Sequence, residues 1–411
     1  MSGENTAKRP MADGMAETNV RWRMFGGLLS PRKLGTLLRV LRNGAGEAGG
    51  SREHLDAAMQ WLVRAQDISA TGGVSYGYGL LDGWRAPYPE TTGYCIPTFL
   101  RYAGVSGDRS FFERAQAMAE WELRVQRPDG GFAGGPVRPN PDRLGVAFDT
   151  GQVLQGLVAI YRETSDERFR RAAERAGEWL VAHQHEDGAW RDCLPPGHTL
   201  PRAYNVRSCW SLLQLHEVSP QSKFRDAAAR HVEWTLARQQ VNGWFRDNSF
   251  VPDAPALTHT IGYVLEGLIE CWQYLKDDRI LDATVRGGEA VRDELERRGW
   301  LPATFDANWK SSDRYSCVTG CAQIAISWFR LFEATGRREF LDSAIASNRW
   351  LKSRQLRALP DENLKGGIPG SYPVYGAYER LHLPNWAAKF FADAMMDECA
   401  LASGASREKN A

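Results

Sequence analysis

The chain has 411 residues, of which 43% are hydrophobic and 25% charged, an ordinary globular composition that argues against general disorder. Its 51 Lys and Arg nearly balance 50 Asp and Glu, so the net charge of +1 provides no overall field for attracting nucleic acid. Seven scattered cysteines and the lack of a secretory signal pattern predict a reduced, cytoplasmic setting, and no apolar stretch is long enough to span a bilayer.

The first 48 residues differ in composition from the rest. Residues 1–20 are polar and rich in small side chains, which predicts a disordered tail, as does the composition of residues 403–411. Residues 21–48 form a basic amphipathic segment. Two interpretations are open: peripheral contact with an anionic inner membrane through residues 21–42, or, as we favour, a helix packed on the rest of the protein.

From residue 49 onward, similar segments recur every 55 to 60 residues, the mark of an array of helical units. One segment of each unit is a charged helix that ends in Trp and then Gln. These segments occupy residues 57–66, 115–126, 172–184, 226–239 and 343–355. Residues 281–297 take the missing place in the series without the Trp and the Gln.

A turn with Gly and an aromatic residue follows most of these helices, as in RPDGGF at 127–132 and HEDGAW at 185–190. A second, more apolar helix then begins. The predicted apolar helices are 91–103, 149–164, 204–218, 258–275, 318–335 and 385–400. Because a helix that is apolar nearly all round belongs inside and one with a charged face outside, the sequence predicts an all-α (α/α)6 toroid over residues 49–402. An open superhelix is the alternative.

In such a toroid all the inner helices begin on one face, where their unpaired N–H groups favour an anionic or polyhydroxylated ligand. Polar residues at these N-termini are therefore the candidate site. We predict Asp149, His259, Tyr204, Glu90 and Asp306 as catalytic candidates. The predicted substrate-binding residues are Arg207, Tyr94, Gln152, Asn205, Tyr263, Tyr315, Trp190, Trp244, Asn385 and Lys389.

Two chemistries are open at this site. Glu90 and Asp149 either cap their helices or form a carboxyl pair for glycoside hydrolysis, with Asp306 as a third candidate. Alternatively, Arg207 neutralises a uronate while His259 or Tyr204 removes the neighbouring proton, as in a lyase or epimerase. Cys317 and Cys321 lie on one helical face, but two buried thiols explain them better than a metal site, and we predict neither a metal nor a cofactor.

The runs FDTGQVLQGLVAIY (148–161), THTIGYVLEGLIE (258–270) and CVTGCAQIAISWFRLFEATG (317–336) resemble six-hairpin toroid proteins found with bacterial polysaccharide biosynthesis. Those proteins are described as prenyltransferase-like or squalene-cyclase-like repeat proteins, and the resemblance covers roughly residues 50–400. Turns such as QRPDGGF resemble the Gln-Trp repeats of terpenoid cyclases, but FDTG at 148–151 offers a single Asp where those cyclases carry a cluster. Similar toroids occur in six-hairpin glycosidases and sugar epimerases.

The resemblance therefore implies an enzyme that processes an oligosaccharide or polysaccharide. We predict one containing uronic acid, cleaved or modified during bacterial glycan assembly. A terpenoid cyclase is the second hypothesis, and a non-catalytic glycan-binding assembly protein is the third.

Overall fold

A computed structural model of the protein describes Gly35 and residues 38–41, 49–138, 143–195 and 197–402. The tails predicted at 1–20 and 403–411, and most of the basic segment at 21–48, lie outside these residues. Within the described part of that segment, Val40 is buried in the hydrophobic core, whereas Leu38 and Leu41 are exposed. Val40 therefore packs on the helical body.

An inner ring of apolar helices surrounds the centre of the molecule, as the sequence predicts. Most side chains of these helices are buried around much of their circumference, because each helix lies between two inner neighbours and an outer helix. In the described residues the inner helices are α2 (Pro89–Ser106), α4 (Ala147–Thr164), α6 (Val206–Val218), α8 (Thr258–Leu275), α10 (Val318–Thr335) and α12 (Asn385–Ala402).

The outer ring consists of the amphipathic helices, each with one buried and one charged face. Each outer helix packs on the inner helix that precedes it in the chain, apart from the first, which packs on α12. The described outer helices are α1 (Ser51–Asp67), α3 (Ser110–Val125), α5 (Glu167–Ala182), α7 (Ser222–Leu236), α9 (Asp278–Arg298) and α11 (Arg338–Lys352). Helix α9 fills the place predicted for residues 281–297.

Strands among the described residues are short and confined to the connecting loops. They are β1 (Gly77–Gly79), β2 (Gly83–Trp84), β3 (Ala256–Leu257), β4 (Thr304–Phe305), β5 (Ser316–Cys317), β6 (Ser371–Tyr372) and β7 (His382–Pro384). Antiparallel pairing joins β2, β1 and β7 in one sheet, β3 with β4, and β5 with β6. None of the described helices is long and apolar enough to cross a membrane.

The recurring Gln bonds its own turn and the next outer helix. In α5 and its following turn, Gln184 Nε2 donates to the carbonyl oxygen of Gly188 at 3.0 Å and to that of Ala227, in the next outer helix, at 2.8 Å. Gln66, Gln126, Gln239 and Gln355 make equivalent pairs of bonds. Each Gln thus fixes its own turn and holds the neighbouring unit.

The two ends of the helical array meet and close the ring. Inner helix α12 packs on both α1 and α2. Gln355, just after α11, donates to the carbonyl oxygen of His54 in α1 at 3.0 Å, and its Oε1 lies 2.7 Å from His54 Nδ1. The closed ring predicted from the sequence is therefore confirmed.

A buried ion cluster links the inner helices at the end opposite their N-termini. Arg330 of α10 contacts Asp397 of α12 at 3.1 Å and Glu270 of α8 at 3.2 Å. Arg101 of α2 reaches the same Asp397 at 2.6 Å. These contacts hold the C-terminal ends of the inner helices together. The candidate site lies at the opposite end of the ring, where the inner helices begin.

Candidate active site

Two buried carboxyl groups meet at the N-termini of neighbouring inner helices. Glu90 and Asp149 stand in the first turns of α2 and α4, and neither helix has a side-chain hydrogen bond at its N-cap residue. The hydroxyl of Tyr88 lies 3.0 Å from Asp149 Oδ1 and also hydrogen-bonds Glu90 Oε2. Neither carboxyl stands at an N-cap position, and one hydroxyl joins them into a pair.

Burial and mutual repulsion favour the protonated forms of this pair. Burial, followed by the charge of Asp149, raises the pKa of Glu90 well above its ordinary value. Burial also raises the pKa of Asp149, but backbone N–H groups, among them that of Gly135, and the charge of Arg143 oppose the rise. Two like charges this close cannot both ionise easily, so the pair retains a proton near neutral pH.

A chain of aromatic rings joins the carboxyl pair to His259. Phe148, next to Asp149, contacts the ring of Tyr204 at 5.1 Å and that of Tyr263 at 4.8 Å between centroids. Tyr263 lies 4.4 Å from His259 and 5.9 Å from Phe390. We call these five side chains the aromatic wall. It places Asp149, Tyr204 and His259 in one buried, packed region at the inner-helix N-termini.

His259 is buried and neutral. Its Nδ1 hydrogen-bonds Gln323 Oε1, which assigns the proton to Nδ1 and leaves the Nε2 lone pair as an acceptor. Burial lowers the pKa of His259 to about 4. At neutral pH this side chain therefore carries no charge, and its Nε2 is available to accept a hydrogen bond.

Arg207 holds three inner helices together. From α6, its Nε donates to Gln152 of α4 at 2.7 Å, and its Nη1 forms an ion pair with Glu266 of α8. Its guanidinium also lies over the rings of Phe390 and Tyr263, at 5.3 and 5.5 Å. Since Glu266 balances its charge, Arg207 has a structural role, and the substrate-binding role stays a prediction from the sequence.

The other predicted residues of the inner helices lie in the same region. Lys389 pairs with Asp393 at 2.7 Å and stands 4.0 Å from the Phe390 ring. Tyr94 lies 5.5 Å from Phe390, and Lys389 stands 5.2 Å from the Tyr94 ring as well. Asn385 donates to Ser75 O and Thr91 Oγ1, both at 2.8 Å, and Asn205 is buried in a 3₁₀ turn before α6. The loops before α6 and α8 meet here, where Arg202 donates to Phe250 O.

Four predicted residues have other contacts. The Asp306 carboxylate accepts from the backbone N–H groups of Asn308 and Lys310, at 2.8 and 2.9 Å, and so stabilises its own turn. Trp190 is buried and donates to Leu180 O, while Trp244 packs edge-on against Trp309. Tyr315 is half-buried, with its carbonyl bonded to Ala303 N. No contact between these four and the carboxyl pair is present among the described residues.

Sequence reasoning missed Tyr88, Phe148, Glu266, Gln323 and Phe390. Two of them carried a readable signal: Phe148 directly precedes Asp149, and Glu266 is a charged residue in the middle of a largely apolar inner helix. Tyr88 precedes Pro89 and reads as an ordinary loop residue. Its role depends on the approach of α2 to α4, which the sequence pattern does not specify.

The cysteines at 317 and 321 are buried, and burial raises the pKa of each thiol. Such thiols are poor nucleophiles and poor ligands. Within the described residues, no three His, Cys, Asp or Glu side chains are grouped so as to hold a metal ion.

The fold resembles that of several solved enzyme structures. An unsaturated glucuronyl hydrolase specific for heparin superimposes with a TM-score of 0.69 at 17% identity, covering 86% of this chain and 98% of the other. A sugar epimerase from a ruminal bacterium gives 0.69 at 14% identity, covering 87% and 98%. The cellobiose 2-epimerase of Bacillus thermoamylovorans gives 0.68 at 12%, covering 84% and 97%. These similarities confirm the (α/α)6 fold.

Sequence comparison finds a partial similarity to an enzyme of another kind than these structural neighbours. The squalene–hopene cyclase of Zymomonas mobilis is 26% identical over 201 residues, 46% of this chain. The matched segment spans only 27% of the cyclase's own length. A scan against protein-family profiles matches none.

Proposed function

We propose that the protein is a carbohydrate-processing enzyme that cleaves an oligosaccharide by general acid catalysis. The observation that carries the proposal is the carboxyl pair of Glu90 and Asp149, joined by the Tyr88 hydroxyl at the N-termini of adjacent inner helices. A buried carboxyl with a raised pKa keeps its proton at neutral pH and can donate it to a leaving glycosidic oxygen.

The carboxyl pair acts as one acid rather than as the two separate catalysts of an inverting glycosidase. Inverting enzymes hold their carboxyls roughly 6.5–9.5 Å apart to leave room for the attacking water. Here one hydroxyl bonds both, which leaves no room for a sugar and a water between them. The second group must come from elsewhere around the aromatic wall.

His259 is the proposed partner for the attacking water. Its Nε2 lone pair accepts a hydrogen bond from water, and the aromatic wall between it and Asp149 offers apolar ring faces to a sugar. In the proposed step, the acid protonates the glycosidic oxygen, water attacks the anomeric carbon, and the released proton passes to His259. An epimerase reaction needs proton removal and return at one carbon, for which His259 and Tyr204 are the candidates.

The proposed substrate contains uronic acid and is handled in the cytoplasm during bacterial glycan assembly. Support comes from the fold similarity to enzymes named unsaturated glucuronyl hydrolases. Arg143 adds a cation near the carboxyl pair: its Nη1 donates to Pro136 O at 2.7 Å, and its charge acts on Asp149. Peripheral membrane contact through residues 21–42 is a further proposal, supported by the exposed Leu38 and Leu41 beside Arg39, and flotation with anionic liposomes tests it.

The test is product analysis with uronate-containing oligosaccharides in ¹⁸O-labelled water. Hydrolysis places ¹⁸O in the product, a lyase reaction yields an unsaturated sugar without it, and epimerisation in D₂O places deuterium on carbon. We expect ¹⁸O, and losses of roughly 10²–10⁴-fold in kcat for Glu90→Gln and Asp149→Asn. Glu122→Gln, at a buried carboxyl in α3, is the matched control and should retain activity. Full turnover in both site variants would disprove the proposal.

Terpenoid cyclisation is the second candidate, because a protonated carboxyl beside aromatic rings also suits protonation of an alkene. The similarity to squalene–hopene cyclase over part of the chain favours it. Incubation with squalene and analysis for cyclic products separates the two: cyclic product without saccharide turnover would replace the first proposal.

A further inference from the structure

We propose that Glu90, Tyr88 and Asp149 share a single proton, which rests on Glu90 and moves to Asp149 through the Tyr88 hydroxyl. This inference rests on the proposed function, in which the pair is the acid. The inference specifies which carboxyl carries the charge and the route by which the proton moves.

The resting position follows from the hydrogen bonds that each carboxyl receives. Asp149 accepts bonds from its own backbone N–H and from that of Gly135, and an oxygen of Asp149 lies close enough to Gly134 that an added Cβ would stand 3.2 Å from it. Backbone donors stabilise a carboxylate. Glu90 is buried and bonds to the Tyr88 hydroxyl, with no backbone donor recorded among the described residues. The charge therefore settles on Asp149.

The surrounding charges agree with this assignment. The charge of Arg143, in the loop before α4, lowers the pKa of Asp149. The cation that lowers the pKa of Glu90 is Arg207, which is already paired with Glu266. The remaining titratable groups that act on the pair are neutral phenols whose pKa values burial raises: Tyr76, Tyr88, Tyr94, Tyr204 and Tyr263.

The geometry also provides the route. With Glu90 protonated, its O–H donates to the Tyr88 oxygen while the Tyr88 O–H donates to Asp149 Oδ1 at 3.0 Å. Two concerted shifts then pass one proton along: Glu90 loses its proton to Tyr88, and Tyr88 gives its own to Asp149. Tyr88 ends neutral, and the charge has moved from Asp149 to Glu90. No water is needed in this buried place.

The test uses the full-length protein with ¹³C-labelled Asp and Glu side-chain carboxyls, titrated by NMR. Signals missing from Glu90→Gln and Asp149→Asn proteins assign the two groups. We expect Glu90 to deprotonate at higher pH than Asp149 in the wild type. In Tyr88→Phe the Asp149 pKa should rise, because its anion loses a donor, and in Asp149→Asn the Glu90 pKa should fall.

Tyr76→Phe is the matched control. The Tyr76 ring stacks on Tyr88 at 6.0 Å, and its hydroxyl bonds Glu379 at 2.6 Å rather than the pair, so its loss should leave the titration of Asp149 unchanged. Circular dichroism of the Tyr88→Phe protein checks that the fold persists; if it does not, the wild-type and Asp149→Asn titrations still decide the assignment.

A kinetic measurement tests the route. We expect Tyr88→Phe to lower kcat by roughly tenfold or more, within the usual range for acid–base catalysis, with KM unchanged. Unchanged titrations in Tyr88→Phe, or a wild-type pair protonated on Asp149, would overturn the inference. If no saccharide is turned over, the proposed function fails alone, since the titrations read the shared proton without any substrate.

Discussion

The stability of an Arg207→Met protein tests whether Arg207 has a structural role or the substrate-binding role predicted from the sequence. The side chains of Arg207 and Glu266 are 1% and 5% exposed, and Arg207 also bonds Gln152. Arg207→Met keeps an apolar stem but leaves the Glu266 carboxylate buried without its cation. Breaking a buried ion pair in this way costs about 3–5 kcal/mol of the free energy of unfolding, against about 0–0.5 kcal/mol for an ordinary surface substitution.

Urea unfolding of a double-mutant cycle measures this cost. We expect Arg207→Met to lose about 3–5 kcal/mol, and the Arg207→Met, Glu266→Met protein to recover most of it, since no uncompensated charge remains. The half-exposed pair Arg162–Glu217 is the control, and Arg162→Met should lose no more than about 1 kcal/mol. An Arg207→Met protein with wild-type stability but no saccharide turnover would refute this reasoning and make Arg207 a substrate group.

Three further predictions concern stability. Burial raises the pKa of Glu122, and neither of its carboxyl oxygens has a hydrogen-bond partner among the described residues, so Glu122 is protonated in the folded protein. Its contribution to stability is present at low pH and is lost as pH rises from about 4.5 through the raised pKa, so Glu122→Gln should gain stability over the wild type between pH 5 and 8 in urea titrations. A pH-independent difference would contradict this. Gln355→Leu leaves buried carbonyl groups unpaired where the ring closes and should lower the free energy of unfolding by about 1–3 kcal/mol for each unpaired group. Thermal unfolding measures this loss, and an unchanged Tm would contradict the role of Gln355 in holding the ring closed. Gly151→Ala places a Cβ 2.2 Å from Ser208 Oγ and should lower the free energy of unfolding by about 1–3 kcal/mol. A second substitution, Ser208→Gly, should restore most of this loss. No recovery would mean that the contact with the Ser208 backbone, rather than with its side chain, causes the loss.

The fold was predictable because its signals are local and repeated. Each Trp-Gln helix end predicts a turn and a neighbour, and Gln184 shows why: its amide must reach both Gly188 and the next outer helix. The inner helices predicted at 258–275 and 318–335 match α8 and α10 to the residue.

The site was predictable only in part. Placement at inner-helix N-termini brought Glu90, Asp149 and His259 into one region, since all the inner helices begin on the same face. The pairing of the carboxyls was not predictable, because it depends on the Tyr88 hydroxyl and on how closely α2 approaches α4. In the same way, nothing local indicated that Arg207 of α6 would pair with Glu266 of the neighbouring inner helix α8.

The bonds between His54 and Gln355 join residues 301 positions apart. During synthesis on the ribosome, α1 emerges before α12 and cannot acquire this packing partner until all the helices between them have been made. Until then the apolar flank of α1 stays open to water and to other nascent chains. Closure of the ring therefore depends on α12, and a truncation that removes α12 should expose both unsealed edges of the ring to aggregation.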